Sequence, residues 1–93
     1  MKPQKLSPQE LDSVAAEIGW TLRDGKLHRD FQFADFARAF GFMTTAAIQI
    51  EKMNHHPEWS NVYNRVSVDL VTHDAGGVTS KDVELARLLN DIA

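Results

Sequence analysis

Three of the four histidines stand where a predicted element ends, and histidine is the side chain best suited to proton exchange near neutral pH. His55 and His56 directly precede Pro57 at the end of a long helical pattern, and His73 follows an alternating apolar run just before a glycine pair. If both ends open on one rim of a sheet, the three imidazoles form a loop-borne acid–base pocket. The pair alone has a second interpretation as a polar helix C-terminus, where protonated histidine is favourable.

The histidine spacing does not favour a metal site. Adjacent residues point about 100° apart on a helix and to opposite faces of a strand, and no two histidines stand four residues apart. The chain also has no cysteine, which excludes a thiolate nucleophile, a disulfide framework and cysteine-based metal sites. We therefore expect proton transfer without a metal ion.

Four other residues are of interest as site candidates. Asn54 offers both a hydrogen-bond donor and an acceptor beside the histidine pair. Trp59 and Tyr63 take strand positions typical of core aromatic residues, although their rings could also face a flat ligand. His28 lies in a predicted hairpin, away from every turn near the other histidines, and we expect it on the surface.

A long amphipathic helix over residues 34–53 carries the histidine pair at its end, because Pro57 cannot continue a helix. At about 100° per residue its apolar side chains fall on an arc of roughly 160°. The members of the arc are Phe36, Ala39, Phe40, Phe42, Met43, Ala46, Ala47, Ile50 and Met53. Ile48 lies outside the arc, which suggests a second covered surface on this helix.

Two further helices carry start signatures, one over residues 8–18 and one over about residues 80–91. Ser7 is placed to cap the first and Thr79 the second, each with an acidic residue three positions later. The acidic residue of the second helix, Asp82, could cap the helix, orient a histidine, or do both.

Four strands are predicted between the helices. Asp24-Gly25 is a strong two-residue hairpin signal. Residues 59–73 alternate apolar and polar side chains over a stretch too long for one typical strand, so we divide it near residues 61–64. The resulting order α-β-β-α-β-β-α predicts an α+β fold, a four-stranded antiparallel sheet with three helices on one face.

The composition is that of an ordinary globular domain. The chain has 93 residues, 43% hydrophobic and 25% charged, which predicts a single domain over residues 1–93. The formal net charge is -3 and the basic residues are scattered, so we expect no direct nucleic-acid binding. No apolar run approaches the roughly 20 residues of a membrane span, and no signal-peptide pattern opens the chain. We expect no membrane association and a cytoplasmic location.

A run of motifs in residues 33–86 resembles the core of the pterin-4a-carbinolamine dehydratase family. The motifs are EKMNHHPEW at 51–59, NVYN at 61–64, THD at 72–74 and GVTSKD at 77–82, with GW at 19–20 and FQF at 31–33 outside the core. The resemblance extends from residue 19 to residue 86, about three-quarters of the chain. Only the tails differ from the family pattern.

The resemblance implies a hydro-lyase that converts 4a-hydroxytetrahydropterin to quinonoid dihydropterin and water, recycling the pterin of aromatic amino acid hydroxylases. His55, His56 and His73 correspond to the family's catalytic histidines. The substrate-binding residues that the resemblance implies are Glu51, Asn54, His55, His56, Val71, Thr72, His73, Asp74 and Asp82. No cofactor is implied beyond the pterin, which is the substrate.

The resemblance also implies partners and leaves two alternatives open. We expect a homo-oligomer, either dimer or tetramer, and an aromatic amino acid hydroxylase is a possible physical partner. Mammalian members of the family also act as dimerisation cofactors of a homeodomain transcription factor, so an interaction module is one alternative. A pterin-binding protein of molybdopterin metabolism is the other, although such relatives often lack part of the histidine set that this chain retains.

Overall fold

The secondary structure follows the order predicted from the sequence. The computed structural model describes residues 3–93, so the first two residues of the predicted domain range lie outside the described residues. The elements are helix α1 (Pro8–Ile18), strands β1 (Thr21–Arg23) and β2 (Lys26–Gln32), helix α2 (Phe36–Met53), strands β3 (Glu58–Val62) and β4 (Arg65–Leu70), a 3₁₀ turn (His73–Ala75) and helix α3 (Ser80–Ile92).

The four strands form one antiparallel sheet in the order β1-β2-β4-β3. Side chains alternate across β4, so Val66, Val68 and Leu70 are fully buried while the residues between them point to the other, more open face. The three helices pack on the buried face, where Leu27 and Phe31 of β2 continue the core. The predicted α+β fold class is confirmed.

The helix starts are defined by side-chain caps. Ser7 and Thr79 each form a complete capping box, as the sequence indicated. Helix α2 begins at Phe36, two residues later than the predicted start, because the Asp35 side chain accepts a hydrogen bond from the Arg38 amide and caps the helix there.

The prediction that His28 lies on the surface is wrong. Its side chain is about 10% exposed, on the open face of the sheet, with Nδ1 2.8 Å from Asp69 Oδ1 and Nε2 3.4 Å from Asp30 Oδ1. Sheet pairing places His28 directly opposite Asp69 on β4. The residue is therefore covered by polar neighbours, of which Asp69 is distant in sequence.

The two aromatic candidates differ from each other. Trp59 packs partly buried against the core, as expected for a strand position. Tyr63 is 65% exposed and lies in the turn between β3 and β4, where its φ of 53° is left-handed. The expectation of a core position is wrong for Tyr63, because the chain reverses there and carries the ring away from the sheet.

Helix α2 keeps an exposed apolar stripe. Its buried side is formed by Ala39, Phe42, Ala46 and Ile50. Phe36, Phe40 and Ile48 are 49%, 54% and 58% exposed, and their spacing in multiples of four places them on one ridge, which winds away from the buried side toward Ile48. Within residues 3–93 no helix is long and apolar enough to cross a membrane.

Candidate active site

The end of α2 holds the histidine pair at a fixed point. Asn54 takes a left-handed conformation with φ 52° and ψ 42°, and its amide donates to the Glu51 carbonyl at 3.2 Å. Asparagine tolerates this conformation better than most residues. His55, His56 and Pro57 then lead directly into β3, so the pair lies between a helix end and the first residue of a strand.

The segment after β4 supplies the third histidine. The strand ends at Leu70, earlier than the predicted end at His73, because Thr72 forms an isolated bridge with Gly77. The Thr72 amide donates to the Gly77 carbonyl at 2.9 Å. His73 consequently opens the 3₁₀ turn, which is capped by Gly76, whose φ of 75° suits glycine.

These two segments border one cavity of about 460 Å³, a size typical of small-molecule sites. The lining residues are Pro3, Asn54, His55, His56, Val71, Thr72, His73, Asp74, Ala75 and Lys81. The structure thus brings the three predicted histidines together with most of the predicted substrate-binding residues. The other two predicted residues, Glu51 and Asp82, do not line the cavity but contact its histidines.

A fully buried carboxylate holds His55. Asp82 Oδ1 lies 2.5 Å from His55 Nε2, and the imidazole itself is 12% exposed. Asp82 Oδ2 accepts from the Thr79 amide at 2.9 Å and from the Thr72 hydroxyl at 2.7 Å. Asp82 therefore caps α3 and orients a histidine at the same time, and each of its oxygens has a partner.

Each cavity histidine contacts a different carboxylate through Nε2. His56 Nε2 is 2.7 Å from Glu51 Oε1, and His73 Nε2 is 3.2 Å from Glu58 Oε2. An ionised carboxylate can only accept hydrogen bonds, so in such a pair Nε2 carries the proton. Nδ1 is then the nitrogen that can exchange a proton with a bound molecule.

Glu58 is a site residue that the sequence reasoning missed. Its pKa is held below the ordinary value, first by a hydrogen bond from Lys26 and to a smaller degree by His73. Lys81, also missed, lines the cavity from the first turn of α3. Lys81 could have been predicted as a site residue because it is next to the candidate Asp82 in the sequence. Glu58 could have been suspected only from its place in the EKMNHHPEW motif, directly after Pro57.

Metal coordination has no geometric support among residues 3–93. No group of three or more histidine, cysteine, aspartate or glutamate side chains there is arranged to hold an ion. Metal independence nonetheless stays a prediction that requires a chemical test.

The structure is a small α+β domain with a cavity of small-molecule size, lined by three histidines that each contact a carboxylate. The family model described as Pterin 4 alpha carbinolamine dehydratase matches residues 4–92, and the chain belongs to that family. Dehydratases of this kind are hydro-lyases, so the family and the enzyme class predicted from the sequence are confirmed.

Similar proteins cover the chain almost end to end. A Solibacter usitatus relative, provisionally named a pterin-4-alpha-carbinolamine dehydratase, is 59% identical over 90 residues, covering 96% of this chain and 95% of its own. A Rhizobium rhizogenes relative of the same provisional name is 51% identical over 96 residues, covering 100% of this chain and 95% of its own. The crystal structure of a transcriptional coactivator/pterin dehydratase from Brucella melitensis has a TM-score of 0.92 and 46% identity, covering 97% of this chain and 99% of that one.

Proposed function

We propose that this chain dehydrates a 4a-hydroxytetrahydropterin to quinonoid dihydropterin and water by acid–base catalysis at His55, His56 and His73. The observation that carries the proposal is that three histidines, each in contact with a carboxylate, line one cavity of about 460 Å³. Family membership supplies the class of substrate.

The reaction requires two proton transfers. Breaking the bond between the 4a carbon and its hydroxyl requires an acid, because the leaving oxygen departs as water once it is protonated. Forming the quinonoid ring requires a base that removes a proton from a ring N–H. Two imidazoles of opposite protonation state can supply both steps, and each such group typically contributes about 10²- to 10⁴-fold.

The remaining predictions form part of the same proposal. The pterin is the substrate, and no metal or further cofactor takes part. The reaction recycles the pterin of an aromatic amino acid hydroxylase, which is a possible physical partner, and it takes place in the cytoplasm.

Steady-state dehydratase kinetics on the purified protein test the proposal. His73→Ala and His56→Ala are each expected to lower kcat/KM by roughly 10- to 10³-fold, within or just below the range for a general acid or base. Combining them should cost less than the product of the single losses, since both serve one transition state.

Two controls accompany this assay. His28→Asn changes the histidine that lies on the open face of the sheet, outside the cavity, and circular dichroism establishes that each variant is folded.

Wild-type rates in folded His73→Ala and His56→Ala variants would refute the catalytic assignment. Loss of activity after chelator treatment, with recovery on adding zinc, would refute metal independence.

The exposed stripe of α2 favours an interaction module as a second candidate function. Phe36 and Phe40 contact each other with ring centroids 5.6 Å apart, and both are about half exposed. The Brucella melitensis neighbour is described as a coactivator as well as a dehydratase. A purified wild-type protein without dehydratase activity would favour this candidate.

A further inference from the structure

We propose that Glu58, held in place by Lys26, is the positioning residue for His73, and that His73 acts through Nδ1. This inference rests on the proposed dehydratase function for its catalytic part. Glu58 is the first residue of β3, so the stretch that carries His55 and His56 also orients the third histidine.

The geometry links three parts of the fold. Glu58 uses both carboxylate oxygens: Oε2 lies 3.2 Å from His73 Nε2 on the 3₁₀ turn, and Oε1 lies 2.5 Å from Lys26 Nζ at the start of β2. Because β4 lies between β2 and β3, the ion pair crosses the strand that leads to His73. The lysine fixes one oxygen and leaves the other to the histidine.

The charges of Lys26 and Glu58 determine which ring nitrogen of His73 carries the hydrogen. The Lys26 hydrogen bond is the first cause of the lowered pKa of Glu58, and the Glu58 hydrogen bond is the first cause of the raised pKa of Lys26. Both groups are therefore charged near neutral pH. An ionised Glu58 accepts the Nε2 proton of His73, which leaves the Nδ1 lone pair free in the neutral imidazole.

His73 depends on this partner more than the other histidines depend on theirs. Its side chain is 75% exposed, against 55% for His56 and 12% for His55. Packing therefore restrains His73 least, and an imidazole free to rotate is seldom oriented for proton transfer. A carboxylate that holds Nε2 reduces this freedom, as the third group does in a catalytic triad.

The effect of Glu58 is expected in activity and not in stability. Solvent-exposed ion pairs contribute little to the free energy of unfolding, and the pair of Lys26 and Glu58 is partly exposed. Removing Glu58 should therefore leave the fold intact while it disturbs the orientation of His73.

A double-mutant cycle tests this mechanism in the full-length protein. Glu58→Ala is expected to lower kcat about 10-fold, the scale of a lost histidine-orienting carboxylate, with KM changed much less. Lys26→Met should lower kcat in the same direction by a smaller factor. In a His73→Ala background, Glu58→Ala should cause no further loss, whereas an equal loss in both backgrounds would overturn the inference.

The matched control is Glu17→Gln. Glu17 forms an exposed ion pair with Arg87 at 3.2 Å, between α1 and α3 and away from the cavity. This variant removes a surface carboxylate from a comparable pair, and kcat is expected to stay at the wild-type value.

Imidazole ¹⁵N spectra separate this inference from the proposed function. In the wild type at alkaline pH, His73 should be protonated at Nε2, and in Glu58→Ala its two nitrogen shifts should move toward the averages of a tautomer mixture. Glu17→Gln should leave them unchanged. Unchanged His73 shifts in Glu58→Ala would overturn the positioning role, while an inactive wild type with the expected shifts would refute only the dehydratase proposal.

Discussion

Asp82 contributes both to the stability of the fold and to the candidate site. It is fully buried and its two oxygens contact His55, the Thr79 amide and the Thr72 hydroxyl. Asparagine keeps one acceptor oxygen and replaces the other with an NH₂ donor, which either faces the Thr79 amide and the Thr72 hydroxyl or requires His55 to move its proton from Nε2 to Nδ1. We expect a loss of about 1 to 3 kcal/mol in the free energy of unfolding together with lower kcat/KM.

Urea denaturation and dehydratase kinetics measure the two effects of Asp82→Asn. The control is Asp91→Asn, an exposed position in the same helix, where the change should stay within roughly 0.5 kcal/mol. Equal stability of the two variants would contradict the role assigned to the buried carboxylate.

The sequence reveals some site residues and conceals others for a physical reason. His55, His56 and His73 were predictable as neighbours because Pro57 and a glycine-rich turn mark where their elements end. The environment of His28 was not predictable, since it depends on the register that pairs β2 with β4 across 41 residues of separation.

The role of Glu58 beside the cavity was likewise not predictable from the sequence. Its contact with Lys26 joins residues separated by 32 positions and requires the strand order of the sheet. Local patterns indicate which residues end a helix or strand, whereas contacts between strands that are distant in sequence depend on tertiary packing.

The capping boxes of α1 and α3 were predicted correctly from the sequence, because each is a contact between residues three positions apart. In α1 the backbone hydrogen bond from Ser7 is the first cause of a lowered Glu10 pKa, below its ordinary value of 4.5. Because the pKa of Glu10 is lower in the folded than in the unfolded state, its ionised carboxylate stabilises the fold above about pH 4.5. This stabilisation is lost as the pH falls through the folded-state pKa.

The lowered pKa of Glu10 leads to a prediction for α1. Glu10→Gln should lower the melting temperature at neutral pH, because the amide resembles the protonated acid and lacks its charge. The difference from wild type should shrink as the pH is reduced from 6 toward 3. Thermal unfolding followed by circular dichroism measures it, and a difference independent of pH would contradict the assignment.

The turn between β3 and β4 carries a backbone strain that the NVYN motif did not reveal. Tyr63 has φ of 53°, a conformation unfavourable for a bulky side chain. Asn61 Nδ2 donates to the Tyr63 and Arg65 carbonyls at 3.1 and 2.9 Å, and Asn64 Nδ2 donates to the Phe33 carbonyl at 3.0 Å. The two asparagines hold the turn in place.

Replacing Tyr63 separates the backbone strain from the loss of the ring. Tyr63→Ala removes the ring but keeps the Cβ atom that is unfavourable at positive φ, whereas Tyr63→Gly removes both. We expect the glycine variant to be more stable than the alanine variant by about 1 kcal/mol, measured by urea denaturation. An alanine variant at least as stable as the glycine variant would contradict the strain.

On the scale of the whole molecule, the fold places the cavity and the two phenylalanines of the exposed stripe at different ends of α2. The C-terminal end of α2 leads to His55 and His56, while Phe36 and Phe40 lie in its first turns. A partner covering the stripe over Phe36 and Phe40 would therefore leave the cavity end accessible. Association over these two phenylalanines would therefore not compete with catalysis for the same end of the helix.

We expect the stripe to be covered by a second copy of the chain in a homo-oligomer. Phe36, Phe40 and Ile48 are 49%, 54% and 58% exposed, and aromatic and aliphatic side chains aligned on one helix face are typical of an interface. Phe40→Glu and Ile48→Glu should each favour the monomer, because association would bury an unpaired charge. Arg38→Glu, at an exposed position of α2 that is not three or four residues from any member of the stripe, should leave the assembly unchanged. Sedimentation velocity at micromolar concentration distinguishes these species, and a monomeric wild type would show that the stripe has another partner or none.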